Sequence, residues 1–430
     1  MLEHVRQFDP ELADLLNLEL GRQQDGLVMI PSENFASPAV LEAAGTVLTN
    51  KYAEGYPAKR YYTGNEFIDQ VETLAIQRAK QLFSAEHANV QPHSGSGANM
   101  ACYEALMQPG DKILGLNLAH GGHLTHGSPV NFSGKKYNFI AYGVEKETEA
   151  LDMDVVRKLA IAEKPKVVLS GHTAYPRKMN FSEFADIANE IDAYAMADIS
   201  HIVGLCLAGE HENPVPSHDV VMTTTTKTLR GPRSAIILSK IIDRLQEKYW
   251  PGEKKNLAQR IDFSVFPTFQ GGPLEHIIAS KAVAFKEAML PEFKGYQQQI
   301  VKNAKALAQS LMDNGLRLVS GGTDNHLMII DCSKLPVQNG KVGAQVLEKA
   351  GIYTNMNMIP FDTGTPFKPS GIRLGTPALT TRGMKEKEMK QIGEWIAQLL
   401  QNPTNDALIA KTKQNVKDLT THFPLYSELK

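Results

Sequence analysis

The sequence predicts an α/β protein with a largely parallel sheet, followed by a smaller α+β domain. Three observations carry that prediction. The apolar runs Lys166–Ser170, Ala193–Ala197 and Asp219–Met222 are short, as buried parallel strands are, and too short for helices. Between the first two lies FSEFADIANEIDA, in which Phe184, Ile187 and Ile191 share one helical face. Strand, helix and strand in this rhythm make a βαβ unit. After about residue 275 the pattern changes to long helical stripes.

One stripe is Ile300, Ala304, Leu307 and Leu311, stopped by Asp313-Asn314-Gly315. Another is Met389, Ile392, Ile396, Leu399 and Leu400, and His326–Ile330 between them reads as a strand. The expected division is an N-terminal helical arm over 1–25, a large domain over 26–275 and a small C-terminal domain over 276–430. Leu290–Pro291 is a further cue for a break.

Composition narrows the function classes. The chain has 430 residues, 42% hydrophobic and 21% charged, which argues against disorder, collagen-like repeats and coiled coil. A formal charge of −2 gives no general attraction to nucleic acid or anionic lipid. Cys102, Cys206 and Cys332 show no CxxC spacing and read as unpaired, buried thiols of a reducing compartment. The N-terminus has no apolar signal core, and no run of 18 apolar residues occurs, so a cytoplasmic protein with no membrane partner is expected.

Ligands of open α/β sheets bind at the carboxyl ends of strands. Here those ends carry His172-Thr173-Ala174-Tyr175, then Asp198 with His201 three residues on, then Thr223 to Thr226 and Lys227. Alone, such an Asp is a cap and such a Lys is solvated. Together they are what pyridoxal phosphate requires: an amine for the aldehyde and a carboxylate for the pyridinium nitrogen. Ser94-Gly95-Ser96-Gly97-Ala98-Asn99 before a helix-like stretch offers an anion cradle, and Gln270-Gly271-Gly272-Pro273 is a second glycine turn. By themselves these patterns reach a cofactor or phosphate site and no further.

His120, His123 and His126 are spaced by three, but the diglycine and Gly127-Ser128-Pro129 favour an irregular loop, so no metal is assigned. Upstream, Tyr52, Tyr56, Tyr61 and Tyr62 crowd one short stretch around Glu54. That stretch reads either as a tyrosine-rich interface patch or as the lip of a site with Glu54 as acid/base.

These residues fall within longer motifs: SENF at Ser32–Phe35, LTNKYAEGYP at Leu48–Pro57, VQPHSGS at Val90–Ser96, NLAHGGHLTHGSPVNFSGK at Asn117–Lys135, KTLRGPR at Lys227–Arg233, QGGPLEH at Gln270–His276, SGGTDNHL at Ser320–Leu327 and SGIRLGTPA at Ser370–Ala378. On these motifs the chain closely resembles serine hydroxymethyltransferase, a fold-type-I pyridoxal-phosphate family, essentially from Glu11 to the C-terminal region. The resemblance implies a mostly parallel seven-stranded sheet in the large domain. It also implies reversible transfer of the serine hydroxymethyl carbon to tetrahydrofolate, or a related pterin, giving glycine.

By position, the resemblance implies that Lys227 forms the Schiff base, Asp198 holds the pyridine nitrogen, His201 contacts the ring hydroxyl and His123 stacks on the ring. Ser94, Gly95 and Ser96 bind phosphate, with Thr173 also at the cofactor and with Gly272 and Tyr52 supplied by the neighbouring subunit of a homodimer. Arg373 clamps the substrate carboxylate, with Ser32, Tyr62 and His201 beside it, and Glu54 works near the hydroxymethyl group together with Tyr62. Leu118, Gly122, His123, Leu124, Asn357, Thr365, Pro366 and Phe367 bind folate.

The chain departs from the family pattern at several places. Thr226 stands where a histidine usually precedes the lysine, and Ser234 follows Arg233 where glycine is usual. Pro31, Thr63, Thr268 and Met356 replace a usual Ala, Gly, Gly and Lys. Because threonine cannot titrate, proton handling beside Lys227 changes. A folate-independent, threonine-type aldolase or transaldolase of the same fold is the alternative reading.

Overall fold

The structure is a computed structural model and describes residues 2–427. Met1 and residues 428–430, the outer ends of the expected arm and C-terminal domain, lie outside the described residues. The chain forms two units, one of Phe35–Gln298 and one of Met1–Asn34 with Gln299–Lys430.

The Phe35–Gln298 unit is built on a seven-stranded sheet. Its strands are β1 (His87–Asn89), β2 (Lys112–Leu116), β3 (Asn138–Tyr142), β4 (Val167–Gly171), β5 (Tyr194–Asp198), β6 (Val220–Thr224) and β7 (Ala235–Ser239). Their spatial order is β1-β7-β6-β5-β4-β2-β3. β7 runs antiparallel to both its neighbours and every other pairing is parallel. The three apolar runs read from the sequence are β4, β5 and β6, adjacent in the sheet; β4 and β5 are buried throughout. They read as continuous apolar runs because a parallel strand is covered on both faces.

The amphipathic stretch between the first two is helix α1 (Phe181–Glu190), with Phe181, Phe184 and Ile187 buried; Asn180 caps it by accepting from the Glu183 amide. Ala98, Cys102, Leu169, Met196, Met222 and Ile237 belong to one hydrophobic cluster of this unit. Cys102, Cys206 and Cys332 are all free and buried.

The other unit centres on β8 (Leu327–Asp331), β9 (Asn355–Asn357) and β10 (Gly371–Gly375), with β10 in the middle and antiparallel to both. Helix α2 (Glu386–Gln401) buries Met389, Ile392, Ile396, Leu399 and Leu400, the stripe expected from the sequence. Leu27 and Met29 belong to the same core cluster, and Leu27–Val28 pairs in parallel with Ile352–Tyr353.

These contacts place the division differently from the expected 1–25, 26–275 and 276–430. Residues 26–34 join the C-terminal unit because a long-range strand pairing holds them there. Residues 276–298 join the large unit because helix Glu275–Ala288 buries Ile278, Ala282 and Phe285 and packs on helices Pro38–Ala44 and Glu66–Phe83. Among the described residues, no helix is long and apolar enough to cross a membrane.

Candidate active site

The parallel strands β4, β5 and β6 end side by side, and a cavity of about 220 Å³ lies among residues that follow those ends. It is lined by His172 and Thr173 after β4, by Asp198, Ser200 and His201 around the end of β5, and by Thr224, Thr226 and Lys227 after β6. Ser94, Gly95, Ser96, Asn99 and His123 line it as well, with Arg233 and Ser234.

Lys227 is presented by a tight loop. The Thr225 hydroxyl donates to the Pro232 carbonyl, and the Gly231 amide donates to the Thr225 carbonyl at 2.7 Å. A Cβ on Gly231 would lie 2.6 Å from that carbonyl oxygen, so only glycine fits the close approach. Lys227 opens the following turn with φ +28°, a left-handed conformation that is strained for a long side chain. Its Nζ donates to Thr224 Oγ1 at 2.9 Å.

Ser94 caps the helix Gly95–Leu106, accepting from the Gly97 amide. The free N–H groups of that first turn, with two serine hydroxyls, form an anion cradle. Gly95 keeps this turn close to β6, since a Cβ there would sit 2.6 Å from Thr224 Cγ2 and force that side chain to shift.

Asp198 is 6% exposed and fully engaged. One carboxylate oxygen accepts from the Ser200 hydroxyl at 2.6 Å and from the Ser200 amide at 3.1 Å. The other accepts from Asn99 Nδ2 at 2.9 Å and lies 3.2 Å from His126 Nε2. Burial pushes this carboxyl upward, but the hydrogen bond and charge of His126, the charge of His123 and the Ser200 hydroxyl outweigh it and hold it far below the usual carboxylate range. An ionised carboxylate, a strand-end amine and an anion cradle on one cavity match the three demands of pyridoxal phosphate: ring nitrogen, aldehyde and phosphate.

The three spaced histidines have separate contacts. His126 meets Asp198, His123 Nδ1 lies 2.7 Å from the Thr125 hydroxyl, and His120 Nδ1 accepts from the Val144 amide. The sequence reading missed Asn99, Thr125, Ser200 and Thr224. Asn99 lies one turn into the helix behind the SGSG motif, and Thr125 lies between two of the histidines, so both sat within segments already singled out. In the same loop Leu118 and Leu124 are exposed, and Gly122 packs so closely that a Cβ would reach 2.1 Å from the Leu116 carbonyl.

Tyr52, Glu54, Tyr62 and Gly272 are not among the residues lining this cavity. They form a separate cluster in the same unit. The Tyr52 and Tyr62 rings meet edge to face with centroids 5.3 Å apart, and the Tyr62 hydroxyl is 3.4 Å from Glu54 Oε2. A Cβ on Gly271 would lie 3.0 Å from Glu54 Oε1, and one on Gly272 3.2 Å from the Tyr52 ring. Partial desolvation and then the adjacent Glu54 carboxylate raise the Tyr62 hydroxyl above the usual tyrosine value. Tyr52, Tyr61 and Tyr62 are all exposed.

Ser32, Asn357, Thr365, Pro366, Phe367 and Arg373 belong to the other unit. Arg373 lies on β10, is 7% exposed, and donates from Nε to Asn355 Oδ1 at 3.1 Å across the β9–β10 pairing. Burial lowers its guanidinium to about 10. The Gly375 amide donates to the Met29 carbonyl, which brings the Pro31–Ser32 turn to the end of that strand. Asp362 pins the neighbouring loop by accepting from the Gly364 and Ser370 amides and the Ser370 hydroxyl. Phe367 stands 83% exposed on that loop, beside Thr365 and Pro366.

Comparison with known proteins agrees with this geometry. The chain matches the serine hydroxymethyltransferase family over residues 5–396. It is similar to the curated serine hydroxymethyltransferase of Koribacter versatilis (strain Ellin345), with 55% identity over 428 residues, covering 100% of this chain and 97% of that protein. A match of that length and identity, joined to a lysine, a carboxylate and an anion cradle at one edge of the sheet, places the chain in the serine hydroxymethyltransferase family.

Proposed function

We propose that the reaction of this family runs in this chain on two sets of residues, one around Lys227 and one around Glu54. The reaction is reversible transfer of the serine hydroxymethyl carbon to tetrahydrofolate, giving glycine and 5,10-methylenetetrahydrofolate. The enzyme depends on pyridoxal phosphate and takes tetrahydrofolate as co-substrate. Bound pyridoxal phosphate supplies an aldehyde carbon for amines and a ring that accepts electrons from the substrate carbon.

The observation that carries the assignment of roles is the shared cavity of Lys227, Asp198 and Ser94–Ser96. Lys227 would hold the cofactor through its amine. Asp198, kept ionised, would favour a proton on the ring nitrogen. Ser94, Gly95 and Ser96 would hold the phosphate, and His201, Thr173 and His123 would hold the ring. Arg373 receives the substrate carboxylate as a fork of donors, with Ser32 beside it. Glu54, next to Tyr62, moves the proton of the serine hydroxyl. Leu118, Gly122 and Leu124 line the folate side, with Asn357, Thr365, Pro366 and Phe367.

Tyr52 and Tyr62 stand exposed, Glu54 and Gly272 are half-buried, and all four lie apart from the cavity lining of their own unit, which supports a homodimer whose partner supplies them. The substrates and the lack of membrane-spanning helices among the described residues fit a cytoplasmic enzyme.

Lys227→Ala abolishes serine cleavage and removes the cofactor's visible band; full retained turnover refutes the assignment. In the active protein, serine cleavage rises steeply with added tetrahydrofolate. Better cleavage of threonine without folate would instead mark the aldolase alternative. Mixing Lys227→Ala and Glu54→Gln subunits restores about a quarter of native activity, since half the random dimers hold one intact site; no restoration refutes shared sites.

A further inference from the structure

A second concentration of buried charge lies beneath the segment that carries Glu54. Gly55–Tyr56 and Lys59–Arg60 pair as a two-residue antiparallel ladder, and the Tyr61 amide donates to the Glu54 carbonyl at 3.0 Å. Arg60 points beneath this hairpin with only 3% of its side chain exposed.

Its guanidinium is held by acceptors from two sources. Nε donates to Asp69 Oδ1 at 2.9 Å and Nη2 to Glu72 Oε2 at 2.6 Å. Nη1 donates to the Ala53 carbonyl at 2.8 Å and to the Gly55 carbonyl at 3.0 Å, the residues immediately before and after Glu54. Gln91 closes the brace: its Nε2 donates to the same Gly55 carbonyl at 2.9 Å and to Glu72 Oε1 at 2.7 Å. Gly55 itself holds φ +102°, with a Cβ excluded by the Lys59 carbonyl at 2.2 Å.

A buried arginine needs charge partners and saturated donors, and two carboxylates satisfy the first need. They do not require that the remaining donors straddle Glu54. We propose that Arg60 is a positioning residue for Glu54, fixing the backbone on both sides of it so that the carboxylate is held in one place. The inference rests on the reading of Glu54 as the group that moves the hydroxyl proton. Lysine keeps the charge but cannot reach Asp69, Glu72 and two carbonyls at once.

The test is a double-mutant cycle on the holoenzyme with serine and tetrahydrofolate. Arg60→Lys lowers kcat on the order of 10- to 100-fold, the scale of a misplaced group, and leaves the serine KM nearly unchanged. Added to Glu54→Gln, the same substitution lowers kcat no further. An equal loss in both backgrounds overturns the proposal and leaves Arg60 a structural ion pair. Native activity of Glu54→Gln alone overturns the reading of Glu54 and the proposal with it. Should Arg60→Lys fail to fold, Glu72→Gln, which keeps an oxygen for Arg60, enters the same cycle; there a kcat loss confined to the Glu54 background supports the proposal and an equal loss in both overturns it.

Discussion

Around Lys227, the polar groups of the cavity satisfy one another inside the fold: Asp198 is held by Ser200, Asn99 and His126. Around Glu54, the carboxylate is half-buried beside the exposed Tyr52 and Tyr62, and its support in Arg60, Glu72 and Gln91 lies deeper. The first arrangement ties chemistry to stability, because each side chain is also a partner of the core. The second separates them, because the working carboxylate touches little while its brace carries the structure. A substitution in the first region therefore changes folding and activity together. One at Glu54 changes activity with little change in folding.

Asp198→Ala carries the largest expected effect. It removes the acceptor of buried His126, Asn99 and Ser200 and leaves those groups without it. Each buried group left unpaired costs about 1–3 kcal/mol, read as a lower urea midpoint of the apo-protein, and cofactor affinity falls with it. Because the Asp198 carboxyl is held below its ordinary value, its stabilisation is present above the unfolded pKa and is lost as pH falls through the folded value. The native protein therefore loses an advantage over Asp198→Ala in acid. Equal urea midpoints at neutral pH would erase the contrast between the two regions.

Glu54→Gln comes next. General acid–base groups contribute about 10²–10⁴-fold, and a fall of that size in kcat is expected. Unfolding free energy should fall by no more than about 1 kcal/mol, the scale of one hydrogen bond, since the half-buried carboxylate meets the Tyr62 hydroxyl at a long 3.4 Å. A loss of stability larger than that would mean that Glu54 belongs to the buried brace.

The same contrast governs what was legible in the sequence. β4, β5 and β6 were readable because strands covered on both faces are uninterrupted apolar runs, and their polar ends flagged Asp198 and Lys227 directly. The two-residue pairing of Leu27–Val28 with Ile352–Tyr353 carries no local pattern, so the sequence grouped residues 26–34 with the large domain while the contacts group them with the C-terminal unit. Asn99, Thr125 and Ser200 lie inside or beside recognised motifs, yet their partners are set by tertiary approach. Arg60, Glu72 and Gln91 were invisible for the same reason: each alone looks like an ordinary polar residue, and only folding brings them to Gly55. The resemblance supplied Arg373, which no residue pattern had singled out, and decided for Glu54 between the interface patch and the site lip that the tyrosine-rich stretch had left open.

The smallest expected effect concerns Glu275, a carboxyl with no exposure that sits 3.6 Å from Arg60 at the edge of the same buried cluster. Asp198 and Glu275 are both buried carboxyls, and they deviate in opposite directions. Asp198 faces His126 and remains ionised. Glu275 is pushed up to about 8, first by burial and then by the neighbouring Glu72 carboxylate, with Arg60 only partly offsetting the rise. The folded protein thus keeps a proton on Glu275 that the unfolded chain releases near its ordinary value of 4.5. The associated stabilisation is complete below that value and is lost as pH rises through about 8. Burial lowers the adjacent Lys281 to about 7, so the cleanest window lies between about pH 5 and 7, before that amine titrates. In this window Glu275→Gln, which cannot ionise, should make urea stability less dependent on pH than in the native protein. One proton limits the difference to about 1.4 kcal/mol per pH unit. Parallel stability–pH curves for the two proteins would mean that Glu275 is ionised in the fold, and that Arg60 balances three carboxylate charges beneath the hairpin instead of two.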